Sequence, residues 1–154
     1  VAQSFEGGRY AVAVEGGGES VRVRPGNLSP AVSRGGVPAP DDVIVAAERG
    51  EEEAVLAWLD SGGRVDATYE RGGVSGMTLL VAAAAHGHLG VVELLLRRGA
   101  EVNLQNSEGV TALIIAAVNG HERVIDLLMR RGAEVNLQDI KGCTSLMYAA
   151  LFNH

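Results

Sequence analysis

Histidine is the residue type whose spacing in this sequence most suggests chemistry. His86 and His88 are separated by a single glycine, and His121 follows 33 residues after His88. Imidazole nitrogens are common zinc ligands, but zinc sites are normally completed by cysteine pairs or by further ligands at short spacing. No cysteine pair and no acidic cluster accompanies these histidines in the sequence. We therefore predict no metal site and no cofactor.

Three other stretches contain residue types that are used in catalysis or phosphate binding. The acidic run Glu51–Glu53 is typical of a solvated helix face and not of an acid–base pair. The glycines at Gly16–Gly18 are not followed by the Lys-Ser/Thr of a phosphate-binding loop. Cys143 has no clear histidine partner that would activate its thiol. The sequence therefore predicts no catalytic residues, and we expect that the chain is not an enzyme.

The composition limits the partners and the compartment. The 154 residues are 47% hydrophobic, 21% charged and only 4% aromatic, so the core must be aliphatic and rich in alanine. A net charge of −6 gives no electrostatic reason to bind nucleic acid or an anionic membrane. No apolar run is long enough to cross a bilayer, and a lone cysteine fits a reducing compartment. We expect an intracellular protein, cytoplasmic or nuclear.

The first 40 residues differ in composition from the rest, because they contain all four prolines. Within them, RYAVAVEGGGESVRVRP alternates apolar and polar residues on both sides of a glycine run, which predicts a β-hairpin. The patterns GRYxVxVxxG and VRVRPGNL resemble the last strands of small SH3-like barrels. We assign residues 1–28 to this hairpin segment and residues 29–40 to a flexible linker.

From residue 41 onward the sequence repeats itself. The heptapeptide GAEVNLQ begins at Gly99 and again at Gly132, and a glycine followed two residues later by threonine recurs at the same 33-residue step. The threonines of that motif are Thr78, Thr111 and Thr144. Each lies where the N-cap of a helix is expected, and each GA glycine lies where a second helix should end.

The order GxTxLxxAAxxGHxxxVxxLLxxGAxxN is present nearly whole in two copies, and with it the chain resembles the ankyrin repeat family. The resemblance implies an all-α solenoid, in which helix–turn–helix units with a β-turn or hairpin loop stack at a 33-residue period, preceded here by the β-hairpin and linker. The expected units are 41–70 (degenerate and capping), 71–105, 106–138 and 139–154 (incomplete). Four extra residues are expected in a loop at 67–75, before the second unit.

The sequence departs from the family pattern at two places. The usual TPLH reads TLLV, TALI and TSLM, so the threonine–histidine hydrogen bond of that turn cannot form. In the first unit, Gly63 replaces the usual alanine and Asp66 the usual asparagine.

The resemblance also implies roles for particular residues. His88, His121 and His154 occupy a position whose side chain bonds neighbouring backbone. Asn103 and Asn136 should brace loops through their side chains, and in this family such asparagines can be substrates of intracellular asparaginyl hydroxylation.

Ankyrin arrays bind proteins through their turn tips and the exposed side of their first helices. The resemblance therefore implies a protein–protein interaction module, and the apolar members of these positions suggest a docking stripe on the concave face. The matching positions, predicted to bind a partner, are Val74, Ser75, Met77, His86, Ser107, Glu108, Val110, Val118, Asn119, Ile140, Lys141 and Cys143.

Two further expectations concern what the chain belongs to and how it associates. Because it begins with Val1, the chain is expected to be a piece of a longer protein, and the alternative function is a targeting fragment of a larger multidomain enzyme whose catalytic part is absent. We expect a monomer that can associate through its uncapped last repeat, where Leu146, Met147 and Leu151 would lie uncovered.

Overall fold

The computed structural model describes residues 37–154 and three short strand segments before them. These segments, β1 (Ala2–Gln3), β2 (Tyr10–Val12) and β3 (Val21–Val23), form an antiparallel sheet in the order β1-β2-β3. β2 and β3, which the alternation predicts as a hairpin, are paired, and β1 adds a third strand that the pattern does not indicate. The glycine turn at 16–18, the remaining residues of the SH3-like stretch and linker residues 29–36 lie outside the described residues.

The helices of the array begin at residue 41. They are α1 (Asp41–Arg49), α2 (Glu52–Asp60), α3 (Leu79–Ala85), α4 (Leu89–Arg97), α5 (Ala112–Val118), α6 (Glu122–Arg130) and α7 (Ser145–Leu151), with the strands β4 (Thr68–Arg71) and β5 (Val74–Thr78) between α2 and α3. The first helices of successive units, α1, α3, α5 and α7, pack against one another in order. The second helices, α2, α4 and α6, likewise pack against one another in order.

Threonine starts three of the four first helices. The Oγ1 of Thr78, Thr111 and Thr144 accepts a hydrogen bond from the N–H group three residues later, at 3.2, 3.1 and 3.4 Å. This satisfies one of the N–H groups that the first turn of a helix leaves without a partner. The N-caps predicted from the sequence are therefore confirmed.

The second helices α4 and α6 end shortly before a left-handed glycine. Gly99 and Gly132 have φ of +85° and +87°, a conformation in which a side chain is strained. The predicted helix ends are confirmed.

The core is aliphatic. Its largest fully buried side chains are Leu79, Leu80, Val55, Val91, Val92, Leu95, Ile114, Val124 and Leu128. Alanines 82–84, 116 and 117 are also buried and let the first helices approach one another closely. Val81 and Ile114, which replace the family's histidine in the TxLx turn, are buried in this core, whereas the equivalent Met147 is exposed.

Histidine side chains join successive units by hydrogen bonds, and glycines leave room for the histidine rings. The Nε2 of His88 donates to the carbonyl of Glu48 at 2.8 Å, and that of His121 donates to Ala85 at 3.0 Å, so each histidine binds backbone of the preceding unit. A Cβ added to Gly87 would lie 2.6 Å from Nδ1 of His121. His88 and His154 lie similarly close to the preceding glycines 50 and 120. The structural role predicted for His88 and His121 is confirmed.

The four extra residues between the first and second units form an ordered β-hairpin, where the sequence predicts a loop. β4 and β5 are antiparallel and are joined by Gly72 and Gly73, whose φ values of +61° and +81° suit a tight primed turn. Arg71 forms an ion pair with Glu48 of α1 and lies over the ring of Tyr69. The ion pair fixes the hairpin against the first unit, and the contact with Tyr69 lies within the hairpin.

The departure at Gly63 has a packing cause. The ring of Trp58 lies so close that a Cβ on Gly63 would be 2.4 Å from its Cδ2 atom. The tryptophan therefore fills the space that the alanine side chain occupies in the other units.

The end of the predicted linker contacts the array. Ala39 is buried, and its N–H group lies 3.4 Å from the carbonyl oxygen of Thr68. Pro40 is the N-cap residue of α1.

Candidate functional site

The turn tips between the units are built around two buried polar side chains, Asn106 and Asp139. The Oδ1 of Asn106 accepts hydrogen bonds from the N–H groups two and four residues later, both at 2.9 Å, and the Oδ1 of Asp139 does the same. Asn and Asp side chains commonly form turns in this way, by bonding the backbone that follows them, and glycine supplies a positive φ where the turn needs one. Here Gly109 and Gly142 complete it, each with a positive φ. The sequence signals these turns as N-x-x-G and D-x-x-G, a pattern that the repeat alignment by itself does not single out.

Asp139 has a second partner in the last helix. The hydroxyl of Tyr148 donates to its Oδ2 at 2.5 Å. Burial by itself raises the pKa of Asp139, but the hydrogen bonds from Tyr148 and from two backbone N–H groups outweigh it and hold the pKa below its usual value. The carboxylate in turn raises the pKa of Tyr148 to about 12. The last tip is therefore fastened to α7 by a charge-assisted hydrogen bond.

Neighbouring tips are bonded to each other. Ser107 donates from its N–H group to the carbonyl of Ser75 at 2.9 Å and accepts with its Oγ from the N–H group of Ser75 at 3.1 Å. The N–H group of Ile140 donates to the carbonyl of Glu108 at 2.9 Å. Together with the β4–β5 pairing, these bonds join the tips into one row, which we call the tip ribbon.

The loops after the second helices are also cross-linked. The Oδ1 of Asn103 accepts from the N–H group of Glu134 at 2.8 Å, in the following unit. Asp66 has the same role in the first unit, where its Oδ1 accepts from the N–H group of Glu101 at 3.0 Å. The loop bracing predicted for Asn103 is confirmed, and the substitution at Asp66 preserves it. Asn136 lies exposed at the corresponding place in the last complete loop.

The twelve residues predicted to bind a partner all lie on the tips or at the ends of the first helices, and none is buried. Six are exposed: His86, Ser107, Glu108, Asn119, Ile140 and Lys141. Six are half-buried: Val74, Ser75, Met77, Val110, Val118 and Cys143. The apolar members are thus recessed, apart from Ile140, which is 71% exposed. Polar side chains form the outer layer of this surface.

Several of these side chains also bind within the array. Met77 packs against the core, and the Nδ2 of Asn106 lies 3.3 Å from its Sδ. Asn119 donates from Nδ2 to the carbonyl of Ala85 at 2.9 Å, and His86 donates from Nδ1 to the carbonyl of Ala82 at 3.0 Å. Their positions are therefore set before any partner arrives.

Neither a metal site nor a membrane span is found among the described residues. Within them, no three side chains of histidine, cysteine, aspartate or glutamate come together as metal ligands would. The helices in that same region of the chain are all too short or too polar to span a bilayer.

Comparison with known proteins gives a family. A model of ankyrin repeats in three copies matches residues 43–139 and residues 101–154. The chain belongs to the ankyrin repeat family. No curated protein matches the sequence significantly. Ankyrin repeats are in general protein–protein interaction modules, so the tip ribbon and the adjoining helix ends are the candidate site of this array.

Proposed function

We propose that this ankyrin array is a non-enzymatic interaction module that binds a partner protein through its turn tips and the exposed sides of its first helices. The observation that carries the proposal is the tip ribbon, in which Ser75–Ser107 and Glu108–Ile140 hydrogen bonds fix the spacing of successive tips. A surface whose geometry is fixed in advance loses less conformational entropy when it binds.

The layering of the surface supports the same proposal. Polar residues such as Glu108 and Lys141 are exposed, whereas the apolar Val110 and Val118 are half-buried. A partner that contacts both kinds of residue would complete the burial of the valines. This arrangement of an apolar centre and a polar rim is common in protein interfaces.

The repeat length and the cellular location in this proposal are supported by separate observations. The N-caps Thr78, Thr111 and Thr144 stand 33 residues apart, which supports a repeating unit of that length with the boundaries given above. The half-buried free thiol of Cys143 supports an intracellular location, cytoplasmic or nuclear. The full chain would then recognise a partner protein and would bind neither a nucleic acid nor a membrane.

A pair of charge-swapped variants tests the binding surface. The tip variant combines Glu108→Lys with Lys141→Glu, and the control combines Glu122→Lys with Arg123→Glu at the start of α6. All four residues are exposed, and both variants keep the net charge unchanged. The full chain and both variants would be used to capture proteins from source-cell lysate, after circular dichroism has shown equal helix content.

We expect the wild type and the control to retain a protein that the tip variant loses. If the tip variant retains every captured protein and the control loses one, binding occurs on the second-helix side and the proposed surface is wrong. If all three baits capture nothing above an unrelated protein of similar charge, the interaction function itself is contradicted.

A further inference from the structure

Two polar side chains at the ends of neighbouring first helices are held in fixed orientations. Nδ1 of His86, the residue after α3, donates to the carbonyl oxygen of Ala82 at 3.0 Å. Nδ2 of Asn119, the residue after α5, donates to the carbonyl oxygen of Ala85 at 2.9 Å. Because Ala85 directly precedes His86, the Asn119 amide reaches across to the unit that carries the imidazole. Both side chains are exposed.

The atoms that these bonds leave over define what can bind there. With its hydrogen on Nδ1, the neutral imidazole of His86 has an acceptor at Nε2. The amide of Asn119 keeps an acceptor at Oδ1, and the second N–H of Nδ2 remains a donor. Among the described residues, no other group is hydrogen-bonded to these atoms. Together they offer two acceptors and one donor, in an arrangement that the array sets in advance.

The free groups of Asn119 match those of a peptide backbone. A residue in an extended chain presents its N–H and its C=O on the same edge, so one side-chain amide can bond both. The next N–H on that edge belongs to the residue two positions further on, roughly 7 Å away, and Nε2 of His86 can accept it. Helices and paired strands use these backbone groups internally, so only an unpaired extended segment can supply them.

We propose that the array binds its partner as an extended peptide segment, whose backbone pairs with Asn119 and His86. This inference rests on the proposed function, because it names the kind of partner that the same surface takes. The segment runs across the second and third units. Half-buried Val118 precedes Asn119 in the chain, and half-buried Met77 and Val110 lie on the tips, so apolar side chains of the segment have places to pack.

The charges on this surface do not call for a charged segment. Arg71 is paired with Glu48, and Glu108 and Lys141 of successive tips have opposite signs. Hydrogen bonds to a backbone give affinity without regard to sequence, so specificity must come from side chains at alternate positions. We therefore expect the bound segments to carry apolar residues at alternate positions.

Selection from a phage-displayed library of random linear peptides, with the full chain as bait, tests the inference. A selected peptide, synthesised with a fluorophore, is then titrated by fluorescence polarisation. Asn119→Ala should weaken its binding at least about tenfold, and His86→Phe, which keeps a ring without an acceptor, about fivefold. The control Asn136→Ala, at an exposed loop asparagine, should leave the affinity within about twofold.

N-methylated peptides separate backbone recognition from side-chain recognition. Replacing each backbone N–H in turn by N–CH3 should weaken binding most at two positions that lie two residues apart. At one of these positions, the loss should shrink to within about twofold when the bait is Asn119→Ala, because the bond that methylation removes is already absent.

Circular dichroism first establishes that all variants have the helix content of the wild type. The inference is wrong if no peptide is selected, if both site variants bind as tightly as Asn136→Ala, or if N-methylation acts equally on the wild type and Asn119→Ala. The proposed function is decided separately by the charge-swapped tip variant. If that variant loses a captured protein while no linear peptide binds, the partner is recognised as a folded surface and only this inference fails.

Discussion

Replacing Gly87 with alanine should destabilise the array more than the same change at Gly99. Both glycines are left-handed, with φ of +73° and +85°, so each substitution costs about 1–2 kcal/mol of backbone strain. At Gly99 the added Cβ meets nothing within 4 Å. At Gly87 it would lie 2.6 Å from Nδ1 of His121, whose ring must move and give up the hydrogen bond to Ala85. Losing that bond adds about 1 kcal/mol, so Gly87→Ala should cost roughly 2–3 kcal/mol.

Urea unfolding followed by far-ultraviolet circular dichroism measures both costs. With a slope of about 2 kcal/mol per molar, Gly87→Ala should lower the midpoint by about 1 M or slightly more. Gly99→Ala should lower it by roughly half to two thirds of that amount. Equal shifts for the two variants would contradict the idea that His121 occupies the space beside Gly87.

A double-mutant cycle isolates the contact itself. In the His121→Ala background the ring is absent, so Gly87→Ala should then cost no more than Gly99→Ala does in the wild type. The coupling energy between positions 87 and 121 should be about 1 kcal/mol. A coupling indistinguishable from zero would refute the reasoning, whatever the single variants show.

Three further predictions concern individual contacts within the array. Thr111→Ala should lower the free energy of unfolding by about 1 kcal/mol in urea titrations, because it removes the buried N-cap bond at 3.1 Å. Gly63→Ala should be destabilising and should change the fluorescence of Trp58, while Trp58→Leu in the same chain should restore most of the stability, because it vacates the space beside position 63. In a spectrophotometric titration, Tyr148 should ionise with a pKa of about 12 instead of its usual 10.0, so Tyr148→Phe should remove a transition at about 12. Asp139→Asn should lower the pKa of Tyr148, because it removes the carboxylate that raises it. On folding the pKa of Tyr148 is raised and that of Asp139 is lowered from its usual 3.8, so this bond stabilises the fold fully between pH 3.8 and pH 10.0. It is lost as the pH rises through about 12 or falls through the lowered pKa of Asp139.

The helices of the array could be predicted because their signals are local. Thr78 and Thr111 precede an apolar run, and Gly99 and Gly132 follow one, so N-caps and helix ends can be located from neighbouring residues alone. Repetition of the same signals then strengthens each assignment. The histidine contacts follow from the family resemblance, and His88 and His121 do bind the preceding unit.

What the sequence did not predict depends on contacts between distant residues. The hairpin at Thr68–Thr78 is held to α1 by the Arg71–Glu48 ion pair, across 23 positions. From the sequence, glycine at position 63 suggests a loss of packing, but in the structure the ring of Trp58 fills the space beside it. These pairings require the two partners to be placed in space, which a pattern along the chain does not do.

The sequence also did not predict how deeply the residues of the candidate site are buried. A repeat position indicates which side of a unit a residue faces, but exposure depends on the neighbouring tip. Met77 and Val110 face the predicted side and are nevertheless half-buried, and Ile140 alone among the apolar members of the set stands exposed. The structure places these residues on the tips and at the ends of the first helices, and their role in binding a partner stays a prediction.

The β4–β5 hairpin has a consequence for how the chain tolerates changes of length. The four extra residues between the first and second units lie entirely within the hairpin from Thr68 to Thr78, and the helices before and after it still pack against one another. At its turn, Gly72 and Gly73 have no atom within 4 Å of an added Cβ. Lengthening a surface turn costs little free energy, because the entropy of closing it grows only slowly with its length. Foreign sequence, such as an epitope or a fluorophore-binding tag, should therefore be accepted between these two glycines without disturbing the order of the layers.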